Sequence, residues 1–154
     1  EDIKNQVLHP KKALSIAVPS RLIYTTTLED SAMKVMQTMN DKVYTHVPVI
    51  EGGKMVGVFS ENTILSYLSH HKEAIILKDM KIKEFSEFIP LEKHLSESFE
   101  FVGRNTLLID VEELFRKGLV NRKRIGMVFI TNSGKKDEEL LGLLTSWDIA
   151  GKEI

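Results

Sequence analysis

Thr145 and Asp148 form the pattern in this sequence that could most readily do chemistry. A hydroxyl three residues before a carboxylate is typical of the start of a helix, whose free N–H groups and dipole suit a phosphate. A carboxylate there can also accept both hydroxyls of a ribose, so the pair could hold ribose and phosphate together. Spacing alone favours a simpler interpretation, in which Thr145 caps the helix and Asp148 complements its dipole.

Other candidate constellations predict neither a catalytic centre nor a metal site. His70 and His71 are adjacent, so their side chains point apart, and no acidic or histidine partner stands at ligand spacing. The absence of cysteine excludes a thiolate nucleophile, a disulfide scaffold and a cysteine-based metal site. The sequence also has no glycine-rich phosphate loop and no Gly-x-Ser-x-Gly elbow. We therefore expect no catalytic residues and no metal ligands.

Composition narrows the class of protein. The 154 residues are 42% hydrophobic and 28% charged, which is enough apolar material for a core in one domain or two very small ones. Lys plus Arg number 21 against 22 Asp plus Glu, so we expect no nucleic-acid partner. No apolar run approaches the roughly 20 residues of a membrane span, and the start lacks the features of a signal peptide. We expect a cytoplasmic protein without a membrane partner and, since the sequence begins at Glu1 rather than Met, a segment of a longer chain.

The elements that must position Thr145 and Asp148 occur twice. Residues of the first half correspond in kind to residues 79 positions later, and after an apolar strand the offset grows to 85. The added residues fall within 131–139, which we predict to be a surface loop. The pairs at the first offset are Thr27/Thr106, Leu28/Leu107, Ala32/Val111, Val35/Leu114, Met36/Phe115, Val49/Val128 and Ile50/Phe129, and those at the second are Gly57/Gly142 and Ser60/Thr145.

Each copy predicts a β-α-β-β-α unit. Capping boxes at Thr27 with Asp30, and at Asp110 with Glu113, predict the first helix of each copy. Short apolar runs predict strands, with Gly52 and Gly53 in a tight turn. Ser60 and Thr145 then cap the second helices. We expect Trp147 to be a packing residue, with lining of the cleft as the alternative. The predicted strands are Val47–Ile50, Met55–Phe59, Met127–Ile130 and Leu140–Leu144.

One unit of roughly 50 residues buries too little surface to be stable alone, so we expect the two copies to share a fold. We predict repeat 1 over residues 14–69 and repeat 2 over residues 96–154. Residues 70–95 are predicted to be a linker with a short helix that ends at Pro90.

These residues resemble a tandem pair of cystathionine β-synthase (CBS) domains. The likeness lies in the helix that opens with Thr27 and Leu28, in the strand His46–Ile50, in Gly57–Ser60, and in the closing run Gly142–Asp148. It covers nearly the whole chain. The resemblance implies a mixed α/β (α+β) fold with two β-α-β-β-α repeats related by pseudo-twofold symmetry, and clefts that in many members hold adenosine-containing ligands.

The resemblance also implies a ribose and phosphate site at Thr145 and Asp148, because the family places those contacts at this position. The first copy keeps the hydroxyl of Ser60 but has Thr63 in place of the carboxylate. A hydroxyl cannot make the charge-assisted contacts of a carboxylate, so we expect the first cleft to bind weakly or to be empty.

Phosphate and base contacts are implied at the strands that precede these helices. His46 and Arg124 stand where the family often supplies cations, although Arg124 could equally be a solvated residue of the charged run Asn121–Arg124. Backbone groups of Ile125 and Met127 would flank an adenine. Met127 replaces the usual proline and leaves an additional backbone N–H.

The expected function is a regulatory module that binds an adenine nucleotide (AMP, ADP, ATP or cyclic di-AMP) in the cleft between the repeats and signals to an effector protein. No other cofactor is required. The alternative is a ligand-free pair that acts as a dimerisation or scaffold module, and the degenerate first site favours it. An enzyme is disfavoured because no nucleophile, base or metal constellation is present. Met33, Met36 and Met39 follow helical spacing, so we expect them to be core or dimer contacts. Since family members usually dimerise through their helices, we expect a homodimer, for which this methionine-rich helix offers an adaptable face.

Overall fold

The structure is a computed structural model that describes residues 10–71, 75–76 and 78–152. The chain divides into two compact units. We call Tyr24–Leu95 the central unit, and residues up to Ile23 together with those from Ser96 onward the terminal unit. Each unit has its own sheet and its own hydrophobic core. The mixed α/β architecture is the one predicted.

The first helix of the central unit, α1, spans Ala32–Lys42 and packs Ala32, Val35 and Met39 into the core. It begins after Ser31, whose hydroxyl accepts a hydrogen bond from the Lys34 N–H at 3.2 Å. The predicted start at Thr27 is therefore wrong. Asp30 instead closes the preceding turn, because its carboxylate accepts hydrogen bonds from the Thr26 hydroxyl and the Thr27 N–H, both at 2.9 Å.

A hairpin follows α1, as predicted. Strands β2 (His46–Glu51) and β3 (Lys54–Ser60) are antiparallel, with Val47 opposite Phe59. Gly52 and Gly53 connect them with φ angles of 58° and 79°, a conformation that favours glycine and matches the twist of a hairpin. Helix α2 (Glu61–His70) follows β3 directly.

The segment predicted as a linker completes the core of the central unit. It contains two short 3₁₀ helices, Ile82–Phe85 and Leu91–Lys93, on either side of Pro90. The chain crosses β3 so closely that a Cβ atom on Gly57 would lie 2.2 Å from the carbonyl oxygen of Ile89, which accepts a hydrogen bond from the Val58 N–H. The side chains that this segment contributes to the hydrophobic core cluster are Met80, Ile82, Phe85 and Ile89.

The elements of the terminal unit are β1 (Val18–Pro19), β4 (Glu97–Gly103), α3 (Leu108–Val120), β5 (Arg124–Thr131), β6 (Gly142–Leu144) and α4 (Ser146–Lys152). The four strands form one sheet in the order β1-β6-β5-β4. Strands β4 and β5 are parallel and are joined through helix α3, which packs on β5, whereas the other pairings are antiparallel. Helix α4 follows β6.

The start of the described chain belongs to the terminal unit. Val18 pairs with Leu143 across β1 and β6, and the Ala13 N–H donates to the carbonyl oxygen of Thr106 at 2.9 Å. Ala13 is fully buried in the core of this unit. The predicted repeat 1, residues 14–69, therefore spans parts of both units.

The second predicted capping box does not form. Helix α3 begins after Leu107, which has no side chain to cap it, and Glu113 pairs with Arg116 one turn further along. The duplication is nevertheless visible in the backbone. Helix α1 is followed by Val43 and helix α3 by Arg122 within two residues of its end, both with φ of 60° and 79 positions apart.

The polar stretch predicted as a loop is closed by one carboxylate. Glu138 accepts hydrogen bonds from the N–H and the hydroxyl of Ser133, and from the Lys135 N–H. Strand β6 begins at Gly142, two residues later than predicted. Within the described ranges, the structure has no helix long and apolar enough to cross a membrane.

Candidate functional site

Thr145 and Asp148 meet at the junction of β6 and α4. One oxygen of Asp148, Oδ2, accepts hydrogen bonds from the Thr145 N–H at 2.8 Å and from the Thr145 hydroxyl at 3.1 Å. The carboxylate therefore folds back onto Thr145, the residue that directly precedes its own helix. In the described part of the chain no hydrogen bond reaches the other oxygen, Oδ1. That oxygen can accept from a ligand.

The strand register brings Met127 beside this cap. Val128 pairs with Leu144, so the same register continued by one residue places Thr145 opposite Met127. Ile125 lies about 7 Å further along β5, at two residues of strand rise. The side chains of Ile125 and Met127 are buried, so these residues can offer a ligand only their backbone groups.

Arg124 is the first residue of β5, and its side chain is 68% exposed. Its guanidinium lies 3.5 Å from the carboxylate of Glu97, a side chain that is only 4% exposed. Glu97 packs over Gly126, where a Cβ atom would lie 2.7 Å from Oε2. Arg124 is thus held by a buried acid, although four of the five N–H donors of a guanidinium remain for other acceptors. The sequence analysis did not identify Glu97. The one feature that could have indicated it is a charged residue at the start of an apolar strand.

The corresponding hydroxyls of the central unit are buried. Ser60 and Thr63 form a capping box at the start of α2, with hydrogen bonds of 3.3 Å and 3.0 Å between each backbone N–H and the other residue's hydroxyl. The Thr63 hydroxyl also donates to the carbonyl oxygen of Val58. His46 lies directly across the hairpin from Ser60, and its Nδ1 lies 2.8 Å from the Thr45 hydroxyl. The hydroxyls of Ser60 and Thr63 are therefore buried and already hydrogen-bonded within the unit.

His94, which sequence reasoning missed, completes this buried network. Its Nδ1 lies 3.4 Å from the Ser60 hydroxyl and its Nε2 lies 3.1 Å from the Val58 carbonyl oxygen. Because a carbonyl only accepts, Nε2 carries a proton, and in the neutral imidazole Nδ1 then accepts from Ser60. Nothing in the sequence separates His94 from the exposed residues around it.

The expectation that Trp147 packs is wrong, whereas the burial predicted for one stripe of the first helix is confirmed. Trp147 is 84% exposed, so it does not pack in the first turn of α4. Met39 is buried in the core of the central unit, and Met36 packs against that core, so this stripe of α1 faces the interior. The reason is that the 80–89 segment and the hairpin cover that face of the helix.

The predicted exposure of the histidine pair is confirmed. His70 and His71 are exposed at the end of α2 and contact the ring of Phe88. Across the described residues, no group of three or more His, Asp or Glu side chains could hold a metal ion.

Comparison with known proteins supports the resemblance. The family model "CBS domain" matches residues 16–70, whereas a search of curated proteins gives no match. Among solved structures, the chain resembles AcuB from Vibrio cholerae, with a TM-score of 0.66, 16% identity, and 94% of this chain and 91% of that chain covered.

Two further structures share the fold. One is CBSX2, solved in complex with AMP, with a TM-score of 0.65, 16% identity, and 93% of this chain and 96% of that chain covered. The other is a hemolysin-like protein containing a CBS domain from Oenococcus oeni, with a TM-score of 0.59, 13% identity, and 98% and 97% covered. Residues 16–70 thus match the CBS domain family, and the chain has the fold of these CBS-domain structures over nearly all of its length.

Proposed function

We propose that this chain is a non-catalytic regulatory module that binds an adenine nucleotide through its terminal unit and signals to an effector protein. The observation that carries the proposal is the geometry of Asp148. One of its oxygens is fixed by the helix cap while the other is left to accept a hydrogen bond. A carboxylate positioned in this way is suited to the two hydroxyls of a ribose. The AMP complex of CBSX2, which has the same fold, supports the choice of ligand class.

Each remaining residue of the terminal site has a separate role in this proposal. Backbone groups of Ile125 and Met127 contact the base, because the side chains of both residues are buried. Arg124 donates to phosphate, and its exposed guanidinium is kept near the strand by Glu97. The hydroxyl of Thr145 lies beside the ribose position.

The central unit binds nucleotide weakly or not at all in this proposal. Ser60 and Thr63 hydrogen-bond to each other, and the Ser60 hydroxyl is also shared with His94. A ligand would have to break these buried contacts before it could use either hydroxyl. The central unit therefore offers a ligand neither of these hydroxyls, although His46 lies across the hairpin from Ser60.

A thermal panel tests nucleotide binding. AMP, ADP, ATP and cyclic di-AMP are added separately, and a ligand of the native state raises the melting temperature by mass action. Trp147, the only tryptophan in the chain, lies next to Asp148, so its fluorescence provides a second signal. If no nucleotide changes either signal, the alternative of a ligand-free scaffold is correct.

Substitution of Asp148 tests the proposed site. Hydrogen bonds to a charged group contribute roughly 1.5 to 3 kcal/mol, so Asp148→Ala should weaken binding about ten- to a hundredfold in calorimetric titration. Asp110→Ala, which removes an exposed first-turn carboxylate of α3, is the matched control and should not change affinity. Thr63→Ala should change affinity much less than Asp148→Ala. Equal losses from the Asp148 and Thr63 variants would contradict the assignment.

We also propose that the module is a cytoplasmic homodimer, with α2 rather than the methionine stripe of α1 at the interface. Leu65 and Leu68 are exposed on α2, whereas Met36 and Met39 face the core. Light scattering should give a dimer that Leu65→Glu converts to a monomer. A wild-type monomer at high concentration would contradict this part of the proposal.

A further inference from the structure

Strand β5 has an open side next to the helix cap of the proposed nucleotide site. Strand β6 ends at Leu144, opposite Val128, so within the described ladders residues 124–127 of β5 pair with β4 alone. Backbone groups of this stretch that point away from β4 are therefore not taken up by a neighbouring strand. A base can hydrogen-bond there, as proposed for Ile125 and Met127.

Gly126, in the middle of this stretch, is a β-bulge. The register with β4 shifts at this residue, so that no residue of β4 lies opposite it. Gly126 is half-buried, and its missing side chain leaves room for two groups of β4. A Cβ atom at Gly126 would lie 2.7 Å from Oε2 of Glu97 and 3.1 Å from the ring of Phe99. The surface over Gly126 is thus formed by a carboxylate and an aromatic ring.

The carboxylate of Glu97 is placed to distinguish donors from acceptors. It offers acceptor positions on both oxygens and no donor, so it can accept from Arg124 and from a ligand at the same time. The guanidinium of Arg124, 3.5 Å away, stabilises its negative charge. Because the side chain of Glu97 is almost entirely buried, water screens this charge little. A ligand group that donates is therefore favoured here, and one that only accepts is repelled.

The strand register sets the distance between this carboxylate and the helix cap. Glu97 lies opposite Arg124, and Thr145 lies opposite Met127 when the β6 register is continued by one residue. Three residues of strand rise, about 10 Å, separate these two positions along β5. That distance is comparable with the length of a nucleoside from its ribose hydroxyls to the far edge of its base. With the ribose at Asp148, the 6-position of a purine therefore reaches Glu97.

We propose that Glu97 makes the terminal site specific for a 6-aminopurine, by accepting a hydrogen bond from the 6-amino group while the ring of Phe99 packs against the base. Adenine donates from this position. Hypoxanthine and guanine carry a carbonyl oxygen there, which the carboxylate repels. This inference rests on the proposed nucleotide function and adds to it the residue that selects the base.

Titration with AMP, IMP and GMP tests the base preference, because the three carry the same ribose and phosphate. We expect calorimetry to give affinities for IMP and GMP about ten- to a hundredfold below that for AMP. If IMP or GMP binds as tightly as AMP, the role of Glu97 is overturned while the proposed function stands. If none of the three binds, the proposed function fails and this inference fails with it.

Glu97→Gln separates recognition of the base from support of Arg124. Glutamine has nearly the same shape, but its amide can donate to a 6-carbonyl oxygen as well as accept. We expect the ratio of AMP affinity to IMP affinity to fall about five- to tenfold, with the melting temperature showing that the variant is folded. Loss of support for Arg124 alone would weaken both nucleotides equally, and an unchanged ratio therefore overturns the proposal. Glu113→Gln, which removes a carboxylate paired with Arg116 on α3, is the matched control and should leave the ratio unchanged.

Discussion

At the scale of single residues, Glu138 shows how one carboxylate organises a loop. Hydrogen bonds from the backbone N–H and hydroxyl of Ser133, and from the Lys135 N–H, lower the pKa of Glu138 from 4.5 to about 2. The folded loop therefore holds Glu138 in its charged form across the ordinary range of pH.

The pH dependence of this loop follows from the direction of the shift. Because the folded pKa lies below the unfolded value, the stabilisation is complete above about pH 4.5 and is lost as the pH falls through about 2. We expect the amide NMR signals of Ser133 and Lys135 to titrate with a midpoint near pH 2. A midpoint near 4.5 would show that the carboxylate does not close the loop. Glu138→Gln is the control and should abolish this titration.

Local pairs of the candidate site could be predicted from the sequence, but distant pairs could not. Thr145 and Asp148 are three residues apart, and their contact follows from helix geometry alone. Arg124 with Glu97 and His94 with Ser60 are separated by 27 and 34 positions. Such contacts depend on how strands and turns bring distant segments together, and the spacing of residues along the sequence does not predict those contacts. The charge state and burial of those pairs were therefore outside the reach of sequence reasoning.

At the scale of elements, strands were predicted better than helix starts. The β2–β3 hairpin has apolar runs on both sides of Gly52 and Gly53, and this pattern has few alternatives. The start of α1 has three competing caps in Thr27, Asp30 and Ser31, and the structure uses the last of them. The 3₁₀ helices between residues 80 and 93 are too short to give a periodic pattern, which is why that segment resembled a linker.

Gly57 tests the role of this segment in the core. We expect Gly57→Ala to destabilise the protein by about 2 to 4 kcal/mol, because its Cβ atom would lie 2.2 Å from the backbone oxygen of Ile89. The measurement is the free energy of unfolding in urea. Val56→Ala, a change at the exposed neighbouring position of β3, is the control and should have an effect below about 1 kcal/mol. If Gly57→Ala leaves the free energy of unfolding unchanged, the 80–95 segment does not pack tightly on β3.

At the scale of the whole molecule, the two units differ in how the chain enters them. The central unit is continuous from Tyr24 to Leu95, whereas the terminal unit combines two separate stretches of chain. Strand β1 and Ala13 belong to the terminal unit although they precede the central one. Each unit therefore depends on a different part of the sequence.

Truncation should separate the stabilities of the two units. In a chain that begins at Tyr24, β6 loses its pairing with β1 and the terminal core loses Ala13. We expect hydrogen exchange to show lost protection for the amides of β5 and β6 and retained protection for those of β2 and β3. A chain that begins at Pro10, and so keeps Ala13 and β1, is the control and should retain protection in both sheets. Equal loss of protection in both sheets would contradict the independence of the units.

The pairing of β1 with β6 also sets an order of events during synthesis. Val18 must wait for Leu143, about 125 positions later, and a ribosome that adds 5 to 20 residues per second needs roughly 6 to 25 s to reach it. All of Tyr24–Leu95 is translated within that interval. The residues of β1 are therefore translated before the central unit but can pair only after it, and a chaperone can act on them throughout that interval.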